Sequence, residues 1–344
     1  MALTHLFNKF SILPRIFQPT TDALFSTLPF THRWRLLLLQ PINILCLLLT
    51  APTFLFKTSY TVSYIPTRSG PKRCLVFQPP RASNDTTLRP LHVDFHGGGF
   101  IGGFPEQGVR WCTLLAERTG AVVVSGSYRL APRHIYPAAQ EDVDDIVSYL
   151  LAHAEELGAD KDLLTLGGSS VGGTLTLGTC QLLPPGTVKA WLGSCAPVDL
   201  RLRPRDKIRP EGFPEHDPLG FLEPLYDVYA GTEREKNRED GRCHPILARR
   251  EGLPRNMLFV CAGVDILLHE QMSMVERLER ERNEGDGQSV EVMVVEKGFH
   301  GFTELPSWIM EKERVEVFEK AIGFGRMVHR KHGFDFEDQK QRIR

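Results

Sequence analysis

The sequence predicts an α/β fold built on a mainly parallel sheet of eight strands, with helices on both faces and a helical cap. Three observations predict it. Short β-rich runs alternate with helical apolar spacing from residue 60 onward. One run, Ala121–Ser127 (AVVVSGS), has the β-branched character of a strand buried on both faces. A proline- and charge-rich stretch from Arg201 to Glu251 interrupts the alternation, as an insertion above a sheet does.

The elements follow in order. Tyr60–Ile65 and Arg73–Gln78 read as strands separated by the turn signal SGPK. Leu91–Phe95 is the third strand and runs into a glycine cluster. Pro105–Arg118 reads as a helix opened by proline in its first turn. After the buried strand 121–127, Ala138–Leu157 carries apolar residues at helical spacing. Leu163–Leu166 is a short strand, Thr174–Leu183 a helix that stops before two prolines, and Val188–Leu192 a strand. Met257–Cys261 and Val290–Val295 complete the strands, and Glu270–Arg282 and Pro306–His329 complete the helices.

This divides the chain into an apolar segment (1–58), an α/β domain (59–335) with its insertion at about 201–251, and a polar tail (336–344). The run Leu36–Phe56 supports two readings. It barely reaches the roughly 20 apolar residues of a spanning helix, and Pro41 and Pro52 are expected to kink or shorten it. One reading is a membrane anchor or interfacial helix; the other is a pair of apolar helices forming part of a lid. A cleaved secretory signal fits poorly, because the run starts far from Met1.

The chain has 344 residues with 42% hydrophobic and 24% charged side chains, an ordinary enzyme composition. A net charge of −1 without a basic stripe gives no sign of a nucleic-acid partner, and none is expected. The seven cysteines form no CxxC pair and no metal-ligand spacing with histidine. They read as buried thiols of a reducing, intracellular compartment, cytoplasmic or membrane-associated. No metal is expected.

Gly168-Ser169-Ser170-Val171-Gly172 satisfies G-x-S-x-G. Chemistry at such a site needs a tight strand-to-helix turn that presents the serine, and side chains two residues to either side would collide. Its context, an apolar strand before and an apolar helix after, is present. Ser169 cannot be the nucleophile of this pattern, because Val171 stands where it would need glycine. His96-Gly97-Gly98-Gly99-Phe100 follows the third strand. Consecutive glycines cost conformational entropy, and the return is close backbone approach to a developing oxyanion, worth about 3 kcal/mol per donor. The Gly98, Gly99 and Val171 amides are the candidate donors, and His96 with Gly97 the loop's support. A serine needs a histidine base, and the histidine needs a carboxylate. In the chain order serine, acid, histidine, Asp265 and His300 each follow a late strand. His92, His134, His244 and His269 read as structural or surface groups.

Four blocks together resemble the hormone-sensitive-lipase-like family, the HGGG or α/β-hydrolase fold-3 group. These are HGGGF at 96–100, YRLAPRHIYPAAQED at 128–142, GGSSVGG at 167–173, and AGVDILLHE with FHGF. The resemblance covers about residues 60–330 and implies the α/β-hydrolase fold. It also implies hydrolysis of small or medium carboxylic esters without metal or organic cofactor, under a cap formed by the N-terminal segment and the insertion. Ser169 departs from the aspartate or threonine usual before the nucleophile, which implies tuned activity. An amidase, formamidase or acyltransferase with the same triad, and a binding protein on the same fold, are the alternatives. A small-molecule ester is the expected partner; membrane association and self-association stay open.

Overall fold

The computed structural model describes residues 10–55, 60–82, 85–215, 220–282, 288–306 and 308–336. Eight strands form one sheet: β1 (Thr61–Ile65), β2 (Lys72–Phe77), β3 (Arg89–Phe95), β4 (Val122–Gly126), β5 (Ala159–Ser169), β6 (Val188–Ser194), β7 (Asn256–Val264) and β8 (Ser289–Phe299). Their order is β1-β2-β4-β3-β5-β6-β7-β8. The β1/β2 and β2/β4 pairs are antiparallel and all others parallel. β3 and β4 are buried along their whole length, and the valine run of β4 has the composition of a strand covered on both faces.

Two cores form on opposite faces. On one, α3 (Val109–Thr119) and α8 (Glu311–Lys331) cover the sheet: Val317, Phe318 and Phe324 join Leu192, Leu258 and Val260. On the other, α4 (Ala138–Ala152), α5 (Val171–Cys180) and α7 (Leu268–Arg280) bring Val143, Ile146, Leu175 and Met274 against Val93, Leu166 and Phe259. Among its described residues, the 201–251 insertion carries 3₁₀ turns and one short helix, α6 (Glu223–Val228). It is pinned to the sheet domain by Lys207, which pairs with Glu270 and donates to the Asp199 carbonyl at 2.8 Å.

The apolar N-terminal run differs from its sequence expectation. Among the described residues two helices precede the sheet, α1 (Leu13–Phe25) and α2 (Phe30–Leu55), and α2 continues through both Pro41 and Pro52. Tertiary contacts override the local penalty here. Leu36, Leu39 and Asn43 are buried, and the Thr20 hydroxyl donates to Gln40 Oε1 at 2.8 Å. Phe56 lies outside the described residues. α1 and α2 lean on the loop after β3: Arg15 donates from Nε to the Gly103 carbonyl (3.0 Å) and from Nη1 to the Tyr128 carbonyl (2.6 Å).

Candidate active site

The end of β5 turns directly into α5 with Ser170 between them, at φ 51° and ψ −127°. A non-glycine residue held there costs about 1–3 kcal/mol, which the surroundings must supply. Ser170 N–H donates to the Ser194 carbonyl at 2.6 Å. The flanking glycines have a steric cause. A Cβ on Gly168 would sit 2.7 Å from the Phe95 carbonyl oxygen, and one on Gly172 would strike the same carbonyl. Strand β3 and helix α5 can approach this closely only without side chains.

Three polar groups from distant segments meet at this turn. Ser170 Oγ lies 2.9 Å from His300 Nε2, and His300 Nδ1 lies 2.8 Å from Asp265 Oδ2. Asp265 follows β7, is 2% exposed, and its Oδ1 accepts the Leu267 amide at 3.1 Å. His300 follows β8, with its side chain 45% accessible at the cleft. Desolvation by the surrounding protein pulls the imidazole pKa down, but the charge and hydrogen bond of Asp265, with a further push from Glu304, leave it above its ordinary 6.5.

The glycine loop lies beside Ser170. Gly98 (φ 115°) and Gly99 (φ 61°) occupy backbone conformations that favour glycine. A Cβ on Gly99 would also come within 2.5 Å of the Tyr226 ring, carried by α6. Among the described residues, the amides of Gly98, Gly99 and Val171 donate to no protein acceptor. Val171 opens α5, where the first amides have no helical acceptor and the helix dipole favours negative charge.

The loop is braced from below. His96 is buried; its Nδ1 donates to the Gly97 carbonyl at 2.7 Å, and its ring stacks on Tyr128 at 4.5 Å. The Tyr128 hydroxyl donates to the His96 carbonyl at 2.9 Å, and Arg15 Nη2 approaches His96 Nε2 at 3.3 Å. Burial and the Arg15 charge hold His96 well below its usual pKa, so it serves as a neutral brace. The block at 128–142 supports this arrangement, since Arg129 Nε binds the fully buried Asp142 at 2.9 Å.

Sequence reasoning singled out neither Glu304 nor Cys195 at this site. Glu304 stands four positions after His300, in the 3₁₀ turn Phe302–Glu304. Burial dominates its electrostatics and raises its pKa, while the Ser169 hydroxyl, the His300 charge and the Gly97 amide pull it back down. Ser169 lines a cavity of about 560 Å³ together with Glu304, Asp94 and Trp111. Cys195 is the second, a buried residue at φ 50°. Its sulfur and the ligand atoms of Asp265 and His300 lie within 4.8 Å of one another. Burial, with the Asp265 charge, pushes the thiol up to about 12. A protonated thiol beside a carboxylate already bound to imidazole makes a poor metal set.

The parallel sheet, the serine turn after β5 and the histidine and aspartate beyond β8 and β7 define an α/β-hydrolase-fold enzyme. A family model described as alpha/beta hydrolase fold matches residues 92–304. The chain belongs to that family, the hormone-sensitive-lipase-like group of carboxylic-ester hydrolases. Esterase LipI of Mycobacterium tuberculosis is 37% identical over 107 residues, covering 31% of this chain and 33% of that protein. Ethyl acetate hydrolase of Pseudomonas putida is 29% identical over 245 residues, covering 69% of this chain and 73% of its own length. Among solved structures, the hyperthermophilic esterase of Pyrobaculum calidifontis is similar with TM-score 0.70 and 26% identity, over 84% of this chain and 92% of that one.

Proposed function

We propose that this chain hydrolyses small or medium acyl esters through a covalent acyl-enzyme, with Ser170 as nucleophile, His300 as general base and acid, and Asp265 as its orienting carboxylate. The observation that carries the reading is the unbroken relay from Ser170 Oγ through His300 to Asp265, at 2.9 and 2.8 Å. The esterases among its relatives support the substrate class.

The relay dictates the chemistry. His300 Nε2 takes the Ser170 proton while Oγ forms a bond to the ester carbonyl carbon. The carbonyl oxygen gains the electron pair and rests on the Gly98, Gly99 and Val171 amides. Collapse of the adduct breaks the bond to the alcohol oxygen, which takes the proton from His300. Water then repeats the sequence on the acyl-serine and releases the acid. Asp265 keeps Nδ1 protonated, so Nε2 is the free base. In this reading α1, α2 and the 201–251 insertion form the cap over the site. Their joint position agrees with that, since Arg35 Nε of α2 donates to the Phe221 carbonyl at 2.8 Å.

A fluorophosphonate probe is expected to add one phosphonyl group at Ser170, located by peptide mass spectrometry, and p-nitrophenyl esters of short to medium acyl chains are expected to protect against it. Labelling elsewhere, or none, would overturn the assignment. Glu304 supplies a finer check. Its carboxylate supports the protonated form of His300, so Glu304→Gln is expected to move the acid limb of kcat/KM to lower pH. The same change loosens one anchor of the Gly97 amide, and kcat is expected to fall several-fold, about the effect of one weakened positioning hydrogen bond. A pH profile over the acid limb reads both effects, and an unmoved limb would remove Glu304 from the site.

A further inference from the structure

Helices α1 and α2 each have two unlike faces. On α1, Ile16, Pro19, Asp22 and Ala23 are buried, whereas Leu13, Phe17 and Leu24 fall on one outward stripe at helical spacing. On α2, Leu36 and Leu39 point inward, while Phe30, Leu37, Leu45 and Leu48 point out. Ten of the nineteen exposed large apolar side chains among the described residues lie between Phe10 and Leu48, so the apolar surface is concentrated there. A patch of this kind needs an occupant.

We propose that this face lies on a lipid bilayer, with α1 and α2 in the plane of the headgroups and the hydrolase domain outside the membrane. The segment Phe30–Pro52 is long and apolar enough to cross a membrane, with mean hydropathy 1.6, yet its inner edge is already committed. Arg35 holds the Phe221 carbonyl, and the Thr20–Gln40 bond joins α2 to α1, which Arg15 fastens to Gly103 and Tyr128. Threading α2 through a bilayer would break these contacts; lying in the interface keeps them and buries the outer stripes.

Charge argues for lipid over a second copy of the chain. Asp22 is the one acidic residue from 10 to 55, and it is buried and paired with Arg133 at 3.3 Å. The first turns of α2 carry Arg33 and Arg35, with the Arg35 guanidinium 4.2 Å over the Trp34 ring. Two copies meeting through this face would oppose cations with no carboxylate to receive them. Both guanidiniums already donate to backbone carbonyls, of Ala23 and Leu24 and of Thr31 and Phe221, so what they lack is countercharge; anionic headgroups supply it, and an indole beside them suits the boundary between apolar and wet regions.

The test uses the full chain, mixed with vesicles of phosphatidylcholine containing phosphatidylglycerol and floated through a density gradient. The wild-type chain is expected to float with them. The pairs Phe17→Asp with Leu24→Asp, and Leu45→Asp with Leu48→Asp, are each expected to cut the floated fraction by about tenfold or more, as charges placed against hydrocarbon do. Both pairs replace exposed side chains, so turnover of a soluble p-nitrophenyl ester is expected to stay within about twofold, which verifies the fold. A wild-type chain that stays off the vesicles, or variants that float as the wild type does, would overturn the proposal. So would a wild-type dimer in sedimentation that the Leu45 and Leu48 changes dissociate without any vesicle binding.

Discussion

Ser170→Ala is expected to lower kcat for a short-chain p-nitrophenyl ester by about a million-fold, the order reached when a serine triad loses its nucleophile. The size follows from how much passes through one atom. Oγ forms the bond to the acyl carbon, and His300 has no other proton to withdraw from that position at 2.9 Å. The amides of Gly98, Gly99 and Val171 remain, so slow water attack on bound ester is the residual route. The fold is expected to survive. Alanine keeps the Cβ, leaves no cavity, and retains the Ser170 amide bond to Ser194. The neighbouring serine provides the control. Ser169→Ala removes a hydroxyl that favours the Glu304 carboxylate and takes no part in the relay from Ser170 to His300, so it is expected to leave fluorophosphonate labelling of Ser170 in place. Steady-state kinetics and a thermal melt of both variants decide the matter. Turnover retained in Ser170→Ala would end the acyl-enzyme reading.

The central strands were legible in the chain because runs such as Ala121–Ser127 bury both faces and admit few polar residues. Their ends were less so. β5 begins at Ala159, four residues before the apolar run, because Ala159 and Asp160 pair with Arg89 and Pro90 across a register shift. Polar residues at a strand's entry carry no periodic signal. The helix after the elbow shows a second kind of error. Gly172 and Gly173 look like loop, and the apolar spacing placed the helix at Thr174–Leu183, whereas α5 spans Val171–Cys180. A side chain on Gly172 would strike the Phe95 carbonyl of β3 and one on Gly173 the Ala196 side chain, contacts visible only in three dimensions.

The same distinction separates the site residues. Ser170 and the glycine loop sit in motifs whose local geometry demands particular residue types, and Asp265 and His300 stand at strand ends in a fixed chain order. Arg15, Tyr226 and Glu304 reach the loop from segments with no such demand; Arg15 is 81 positions from the His96 it meets. The N-terminal run was ambiguous for a physical reason. A helix that rests one edge on a protein and turns the other outward has the same apolar composition as one that spans a bilayer.

Asp265→Asn is expected to lower kcat/KM by about 10⁴-fold, with a changed pH profile as its signature. An asparagine nearly reproduces the shape of the carboxylate, so the imidazole stays near Ser170. Its amide can donate to Nδ1, however, which favours the tautomer with the proton on Nε2, the wrong nitrogen for a base. The charge is lost as well. In the wild-type chain desolvation lowers the His300 pKa and Asp265 reverses the sign, so with the carboxylate gone the imidazole should titrate below 6.5 instead of above it. The wild-type acid limb is thus expected above pH 6.5, and that of the variant below it. Stability runs the other way. A raised histidine pKa favours the folded state while the imidazole is protonated, fully below its unfolded pKa near 6.5, and the gain fades as pH climbs through the folded value. Acidification should therefore silence the wild-type enzyme while strengthening the His300–Asp265 pair. In Asp265→Asn that stabilising contribution should vanish along with the rate, and paired melts and pH profiles would show whether one carboxylate governs both.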